Sequence, residues 1–357
     1  MRVLLQEDVR TAAKRRIHWL FEEFPTVIVN HSGGKDSTVV FNLALEVAHE
    51  LDRLPLKVCF LDTEAEWQAT VDHMRDDVFS RDDVEPIWLQ VPFRMYLGAT
   101  SHEWFTCWDP AAKENWIHPQ QPFAITENPW GAERFNDVLA AYTSHTYDGP
   151  VAKLLGIRGE ESPARLFGMQ SREVYKGETW GAVEDAKRGH FLFHPIYDWS
   201  FSDVWRAIEE GGWAYNRLYD EQYRRRMHPR QMRVADLTMG DMSRNALYLA
   251  EIEPDTYARL QRRMGPEAIE RMEMRGWFPD RLPFMFESWA EYRDYLLENL
   301  VREKWRDRMR RQFERSLAKF PEHLHEELIR VQVGAVLIED WKGTKIADWE
   351  AAHASDR

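Results

Sequence analysis

Apolar and polar positions change rhythm several times within the first ninety residues. Val9, Ala12, Ala13, Ile17, Leu20 and Phe21 recur at helical spacing and predict a helix up to about residue 24. Thr26-Val27-Ile28-Val29-Asn30 is a β-branched run and reads as a strand. From Asp36 onward, Val39, Val40, Leu43, Ala44, Val47 and Leu51 make one helix face, which Pro55 ends. Leu56 to Leu61 is a second buried strand, a helix follows through Trp67 to Val78, and Pro86 to Val91 is a third strand. Strand, helix, strand, helix, strand predicts an α/β fold with a doubly wound, mostly parallel sheet covered on both faces. Ligands of such sheets bind at the carboxyl ends of the strands.

That rhythm stops between residues 92 and 150, a stretch rich in Trp, Pro, Asn and His that reads as an irregular, aromatic-rich insertion. The sheet resumes at Val151 to Ile157 and again at Phe191 to Tyr197. Ser200 or Ser202 is placed to cap a helix carrying Val204, Trp205 and Ile208, and Asp198 reads as a helix-start cap. Beyond about residue 245 the chain is charged and helical. We therefore expect an α/β domain over 1–240 and a mostly helical region over 241–357.

Composition narrows the class. Hydrophobic residues make up 44% and charged residues 30%, enough for a core and too balanced for global disorder. No apolar run reaches the ~20 residues of a membrane span, and the N-terminus is unlike a signal peptide, so a cytoplasmic protein is expected. The net charge of −13 argues against broad adhesion to nucleic acid. Cys59 and Cys107 are too few for a cysteine-held iron–sulfur cluster, which takes about four ligands.

The first strand runs into Ser32-Gly33-Gly34-Lys35-Asp36-Ser37. A strand, a glycine turn and a helix start make an anion site, because the glycines admit an oxyanion to the backbone and the helix presents free N–H groups. Ser32, Ser37 and Thr38 add hydroxyls and Lys35 a charge. The spacing is neither that of the Walker loop nor that of the dinucleotide Gly-x-Gly-x-x-Gly turn.

Three further groups are candidates. Asp62 ends the second strand, where a carboxylate can hold Mg²⁺, orient a ribose or cap the next helix. Arg158 and Arg165, beside Glu160, Glu161 and Ser162, can clamp phosphate or sulfate oxygens, or form a self-paired charge cluster. Arg224 to Arg233 is a basic island suited to a polyanion or nucleic acid, or a solvated face paired with Asp220 and Glu221. His31, beside the loop, is a phosphate contact or a structural histidine.

The hexapeptide Ser32 to Ser37 resembles the signature of the PP-loop ATP pyrophosphatase superfamily. Leu61-Asp62-Thr63-Glu64, Cys107-Trp108-Asp109-Pro110, Gly156-Ile157-Arg158, Pro195-Ile196-Tyr197-Asp198-Trp199 and Tyr215 to Asp220 extend the likeness to its branch resembling phosphoadenylyl-sulfate (PAPS) reductases. Within that branch the chain is most similar to the immunoglobulin-binding-regulator A (IbrA-like) group of phages and mobile elements. The resemblance implies an adenine nucleotide α-hydrolase-like fold and a site for ATP, adenylyl sulfate or PAPS, with Mg²⁺. It implies Ser32, Gly33, Gly34, Lys35, Asp36, Ser37, Asp62, Arg158 and Arg165 around the nucleotide, and a ParB-like protein partner. The chain departs from true PAPS reductases in having no cysteine after Cys107, so thiolate reduction lacks its usual nucleophile.

The expected activity is cleavage of ATP between its α and β phosphates, with adenylyl transfer and pyrophosphate release. Lys35, Asp62 and Arg158 are its catalytic candidates. A nucleotide-dependent regulatory module acting on a partner or DNA is the alternative, and reduction of a sulfonucleotide through Cys107 is a third reading.

Overall fold

The structure, a computed structural model, describes residues 6–96, 104–161, 173–227, 232–234, 236–238, 243–265, 281–337 and 340–353. The chain divides into two compact units, Met1–Phe93 with Cys107–Asp236, and Arg94–Thr106 with Leu237–Arg357. Residues 94–106, read from the sequence as part of the insertion in the first domain, group with the second unit.

The first unit opens with α1 (Val9–Glu23), whose start is capped by Asp8 accepting the amides of Arg10 and Thr11. Strand β1 (Thr26–Asn30), helix α2 (Lys35–Glu50), strand β2 (Leu56–Leu61), helix α3 (Gln68–His73) and strand β3 (Val84–Leu89) follow. The helix expected through Val78 changes to a π-helical turn at Met74–Val78. Strand β3 starts two residues earlier than the sequence suggested. It can hold Pro86 because it lies at the sheet edge, where a missing N–H is tolerated.

The 92–150 stretch holds more structure than its composition implied. It contains β4 (Phe93–Tyr96), β5 (Trp104–Cys107), a 3₁₀ turn at Pro110–Asn115 and helix α4 (Phe135–Thr146). α4 buries only Val138, Tyr142 and Thr143, a stripe too thin to stand out by periodicity. β6 (Val151–Leu155), β7 (Val174–Tyr175), β8 (Glu178–Asp185), β9 (His190–Phe193), α5 (Phe201–Gly211) and α6 (Leu218–Arg224) complete the unit.

The sheet has seven strands in the order β3-β2-β1-β6-β9-β8-β7. β1 pairs in parallel with β2 on one side and β6 on the other, with Asn30 level with Cys59 and Leu155. β2–β3 and β6–β9 are also parallel, whereas β8 and β7 run antiparallel. This is the mostly parallel α/β sheet expected, with an antiparallel edge that the sequence did not reveal. The chain moves outward from β1 to β3, then returns to β6 on the other side of β1. That reversal opens the crevice in which open α/β sheets bind ligands. Ile17, Leu20, Val39, Val40, Leu43, Val58, Phe60, Leu154, Val204 and Ile208 form the continuous core beneath it.

The second unit is helical in its described C-terminal part, with α7 (Ser243–Ile252), α8 (Pro254–Met264), α9 (Trp289–Asn299), α10 (Glu303–Leu317), α11 (His325–Leu337) and α12 (Thr344–Ala352). Helices α9 to α12 share a core of Trp289, Leu297, Met309, Phe313, Leu328, Val336 and Ile346. No described helix is long and apolar enough to cross a membrane.

Candidate functional site

The Ser32–Ser37 loop leaves β1 and enters α2 at the reversal point. Gly33 takes φ +69°, and a Cβ there would lie 2.5 Å from Thr70 Cγ2, so both conformation and packing require glycine. Gly34 is the N-cap of α2 and supplies no side-chain cap. The loop is wired from within. The Ser32 amide donates to Ser37 Oγ at 3.2 Å and the Gly33 amide to His31 Nδ1 at 3.0 Å. The Lys35 amide donates to the Tyr219 hydroxyl at 3.2 Å. Ser37 Oγ and Thr38 Oγ1 both donate to the Gly34 carbonyl, at 2.8 and 3.0 Å.

Arg158 follows β6 and therefore lies at the same sheet edge. Its Nε donates to Asp36 Oδ1, while Lys35 Nζ holds Asp36 Oδ2 at 2.9 Å. All three residues are buried, so this is a desolvated Lys–Asp–Arg group. The outer guanidinium nitrogens of Arg158 lie 3.4 Å from Glu160 and 3.7 Å from Glu161. Lys35 Nζ sits 5.4 and 5.8 Å from the ring centres of Tyr219 and Phe201. The sequence thus named residues that the fold brings together. It also named Arg165, which lies outside the described residues, as do residues 228–231 of the basic island.

Gly156 explains how closely the two strand ends meet. A Cβ on it would lie 2.5 Å from the Ser37 nitrogen and 2.6 Å from the Asp36 carbonyl carbon. Asn216 locks the loop from above, donating to the Gly33 carbonyl at 3.3 Å and to Thr70 Oγ1 at 2.8 Å. Asn216 and Tyr219 were visible in the sequence only as part of the Tyr215–Asp220 string and were assigned no role there.

Asp62 is held by the protein on both carboxylate oxygens. It is fully buried, and its Oδ1 accepts the Glu64 amide at 2.9 Å. Its Oδ2 accepts from Trp88 Nε1 and Gln90 Nε2, both at 2.8 Å, and His118 Nε2 lies 3.3 Å from Oδ1. Both carboxylate oxygens are thus hydrogen-bonded within the protein. Among the described residues no group of three or more His, Cys, Asp or Glu side chains is arranged to hold a metal ion. Asp62 instead anchors the aromatic stretch: Trp108 Nε1 donates to its carbonyl at 2.7 Å, and the Trp108 amide donates to Glu64 at 2.6 Å. Burial alone would depress His118, but the charge and hydrogen bond of Asp62, with Pro119 and Glu64, together raise the imidazole above its usual value.

Next to this anchor, Thr63 Oγ1 touches both Glu66 Oε1, at 2.8 Å, and Asp236 Oδ2. One hydroxyl hydrogen can serve only one of the two carboxylates at a time. Burial, with Asp236 and Asp62 adding repulsion, holds the Glu66 carboxyl well above its usual value.

Neither cysteine is poised for attack. Both are buried. Burial pushes the Cys59 thiol up to about 12, and burial with Asp236, Glu64, Asp62 and Glu66 pushes Cys107 up as well. Asp198 is not a helix cap; it takes Arg16 in a two-pronged pair at 2.9 and 2.7 Å and ties α1 to the sheet. Ser200 is the cap of α5, in a reciprocal box with Asp203.

Residues 111–225 match the family model of the phosphoadenosine phosphosulfate reductase domain. This stretch carries β6, Arg158, α5 and α6, and begins after the glycine loop. The chain is 28% identical over 278 residues to an uncharacterized protein, YbdN, of Escherichia coli (strain K12), a match spanning 72% of this chain and 66% of that one. Among solved structures it is similar to PAPS reductase from Candida auris in a phosphate complex, with 16% identity, 67% and 99% coverage and a TM-score of 0.38. It is also similar to Candida glabrata FMN adenylyltransferase in complex with FMN and the ATP analog AMPCPP, with 12% identity, 61% and 64% coverage and a TM-score of 0.37.

Proposed function

We propose that this chain binds an adenine nucleotide at the carboxyl edge between β1 and β6 and splits it between its α and β phosphates. One observation carries the reading. Helix α2 begins at the sheet's reversal point, beneath a two-glycine loop and with no side-chain cap from its N-cap residue. Such a helix start attracts an oxyanion through its free N–H groups and dipole. Lys35 stands in its first turn and Arg158 in the turn just after the neighbouring strand, two cations held on one carboxylate. The match of residues 111–225 to the PAPS reductase domain agrees with a nucleotide carrying a phosphate or sulfate chain.

In this reading an acceptor oxyanion attacks the α phosphorus, the bond to the bridging oxygen breaks, and pyrophosphate leaves with the electron pair. The loop and Lys35 hold the leaving phosphates, and Arg158 offsets charge developing on them. Most of the acceleration comes from positioning, which asks for no protein nucleophile. With both its oxygens hydrogen-bonded within the protein, Asp62 is poorly suited to hold Mg²⁺. Sulfonucleotide reduction through Cys107 is disfavoured by that thiol's burial and raised pKa.

A second reading, a nucleotide-dependent regulatory module acting with a ParB-like partner or DNA, has one observation in its favour. Asp36 and Asp62 both have their carboxylates engaged, so neither is available as a general base toward an acceptor. Its DNA form leans on the basic island, where Arg224 and Arg225 already share Glu221.

Purified protein incubated with ATP and candidate acceptors separates the readings. Pyrophosphate release that disappears in Lys35→Ala supports cleavage. Tight binding without turnover supports the regulatory module, and release of inorganic phosphate or no binding removes the first proposal.

A further inference from the structure

Tyr219 sits where an oxyanion would meet the start of α2. It is only 4% exposed, and its hydroxyl accepts the Lys35 amide at 3.2 Å. A Cβ built on Gly34 would lie 3.4 Å from this hydroxyl and 3.5 Å from Ser32 Oγ, so the two hydroxyls converge over the bare glycine. Ser32 Oγ in turn lies 3.2 Å from Ser37 Oγ. The Lys35 amide accounts for the acceptor side of the phenol only. Among the described residues nothing accepts the phenol's own hydrogen. A buried O–H without an acceptor is costly to keep, which makes such a group a marker for a ligand atom.

The position of Tyr219 is well determined by its neighbours. Asn216 holds the preceding turn, with Nδ2 on the Gly33 carbonyl and on Thr70 and Oδ1 accepting the Leu218 amide at 3.0 Å. The Tyr219 ring packs edge-on against Trp205, with ring centres 5.3 Å apart. The phenol therefore cannot swing away without unlocking the loop itself.

We propose that Tyr219 is a ligand-contact residue of the glycine loop: it receives the Lys35 N–H and passes its own O–H to a phosphate or sulfate oxygen of the nucleotide. The chain of two hydrogen bonds relays the positive end of α2 to the ligand through a side chain, and each bond polarises the other. This rests on the nucleotide reading above. It adds a residue from α6 to a site otherwise built from the ends of β1 and β6, and so makes residues 215–219 part of the binding surface. Burial raises the Tyr219 pKa and keeps the phenol protonated at neutral pH.

The test is calorimetric titration of ATP into the full chain. Tyr219→Phe keeps the ring and removes the hydroxyl; ATP affinity is expected to fall by about tenfold or more, the share of one hydrogen bond to a charged group. Because that variant also strips the Lys35 amide of its acceptor, a second substitution isolates the contact. 3,5-Difluorotyrosine at position 219 ionises at a lower pH than tyrosine does in the same buried site, and its phenolate still accepts the Lys35 N–H but can no longer donate. ATP affinity in that protein is expected to drop as pH rises through the phenol's ionisation, which is followed by phenolate absorbance at temperatures where the protein stays folded. Affinity that is unchanged or improved in Tyr219→Phe, or flat across the observed ionisation of the fluorinated phenol, overturns this role. Failure of the unaltered protein to bind ATP overturns instead the nucleotide reading beneath it.

Discussion

The Arg158 guanidinium closes on the Asp36 carboxylate across 122 residues of sequence, and Asp36 grips Lys35 with its other oxygen. The pairing follows from topology, since β1 and β6 are adjacent parallel strands whose carboxyl ends finish level at Asn30 and Leu155. Removing the shared anion leaves two buried cations facing each other. Asp36→Asn is therefore expected to lower unfolding free energy by about 3–5 kcal/mol, the usual penalty for breaking a buried ion pair. Urea denaturation measures it, and a loss below about 1 kcal/mol would mean the group is solvated as an exposed pair is.

Gly33 combines two demands that a double substitution separates. Alanine there meets the left-handed strain of about 1–2 kcal/mol and a clash with Thr70 Cγ2. Overpacking of that kind costs about 1–3 kcal/mol more. Thr70→Ser deletes the clashing methyl and keeps the oxygen that Asn216 uses. The pair Gly33→Ala, Thr70→Ser should recover the packing part and leave the strain. No recovery of melting temperature over Gly33→Ala alone would show that the clash is not with Thr70.

His31 contributes a pH dependence of stability whose sign follows from its burial. Burial, with His73 adding repulsion, holds this imidazole well below its ordinary value of 6.5. The unfolded chain binds a proton near that value while the folded chain stays neutral. Stability from this site is thus complete above about pH 6.5 and is lost as the solution is acidified below it. His118 works in the opposite sense: its raised value gives stability present below about pH 6.5 and lost as pH rises through the folded value. His31→Asn keeps an acceptor for the Gly33 amide and removes the titration. Its melting temperature should fall less steeply than the parent's on acidification; equal slopes would assign the effect elsewhere, with His73 the next candidate.

Much of this was legible in the sequence. β1 and β2 fall on the residues that β-branched and apolar runs predicted, because both strands are buried and leave a plain hydrophobic signature. The loop residues, Lys35 and Arg158 were named from local chemistry, and parallel pairing joined them. The surroundings of Asp62 were not legible because position at a strand end does not reveal Trp88, Gln90 and His118, which only the fold brings near. The β7–β8 edge was missed for a related reason: Glu178–Asp185 is mixed in polarity and earns its strand conformation from pairing with β9. Tyr219 carried no local signal at all, being one aromatic among many.

The thiols offer a chemical check on the same site. Cys107 is buried among carboxylates that raise its pKa. It should resist alkylation at about pH 8, where an unperturbed thiol near 8.5 reacts readily, and become reactive only in denaturant. Cys107→Ser should leave nucleotide turnover unchanged; loss of turnover would revive a redox role.

Gly156 gives the molecule a stiff joint. With no side chain between them, the end of β6 bears directly on the peptide units of Asp36 and Ser37. Backbone against backbone has no rotamer to absorb a shift. Any partner or substrate that nudges the turn carrying Arg158, Glu160 and Glu161 must therefore move the first turn of α2 as well, so that an event on one strand end is felt by whatever rests on the other.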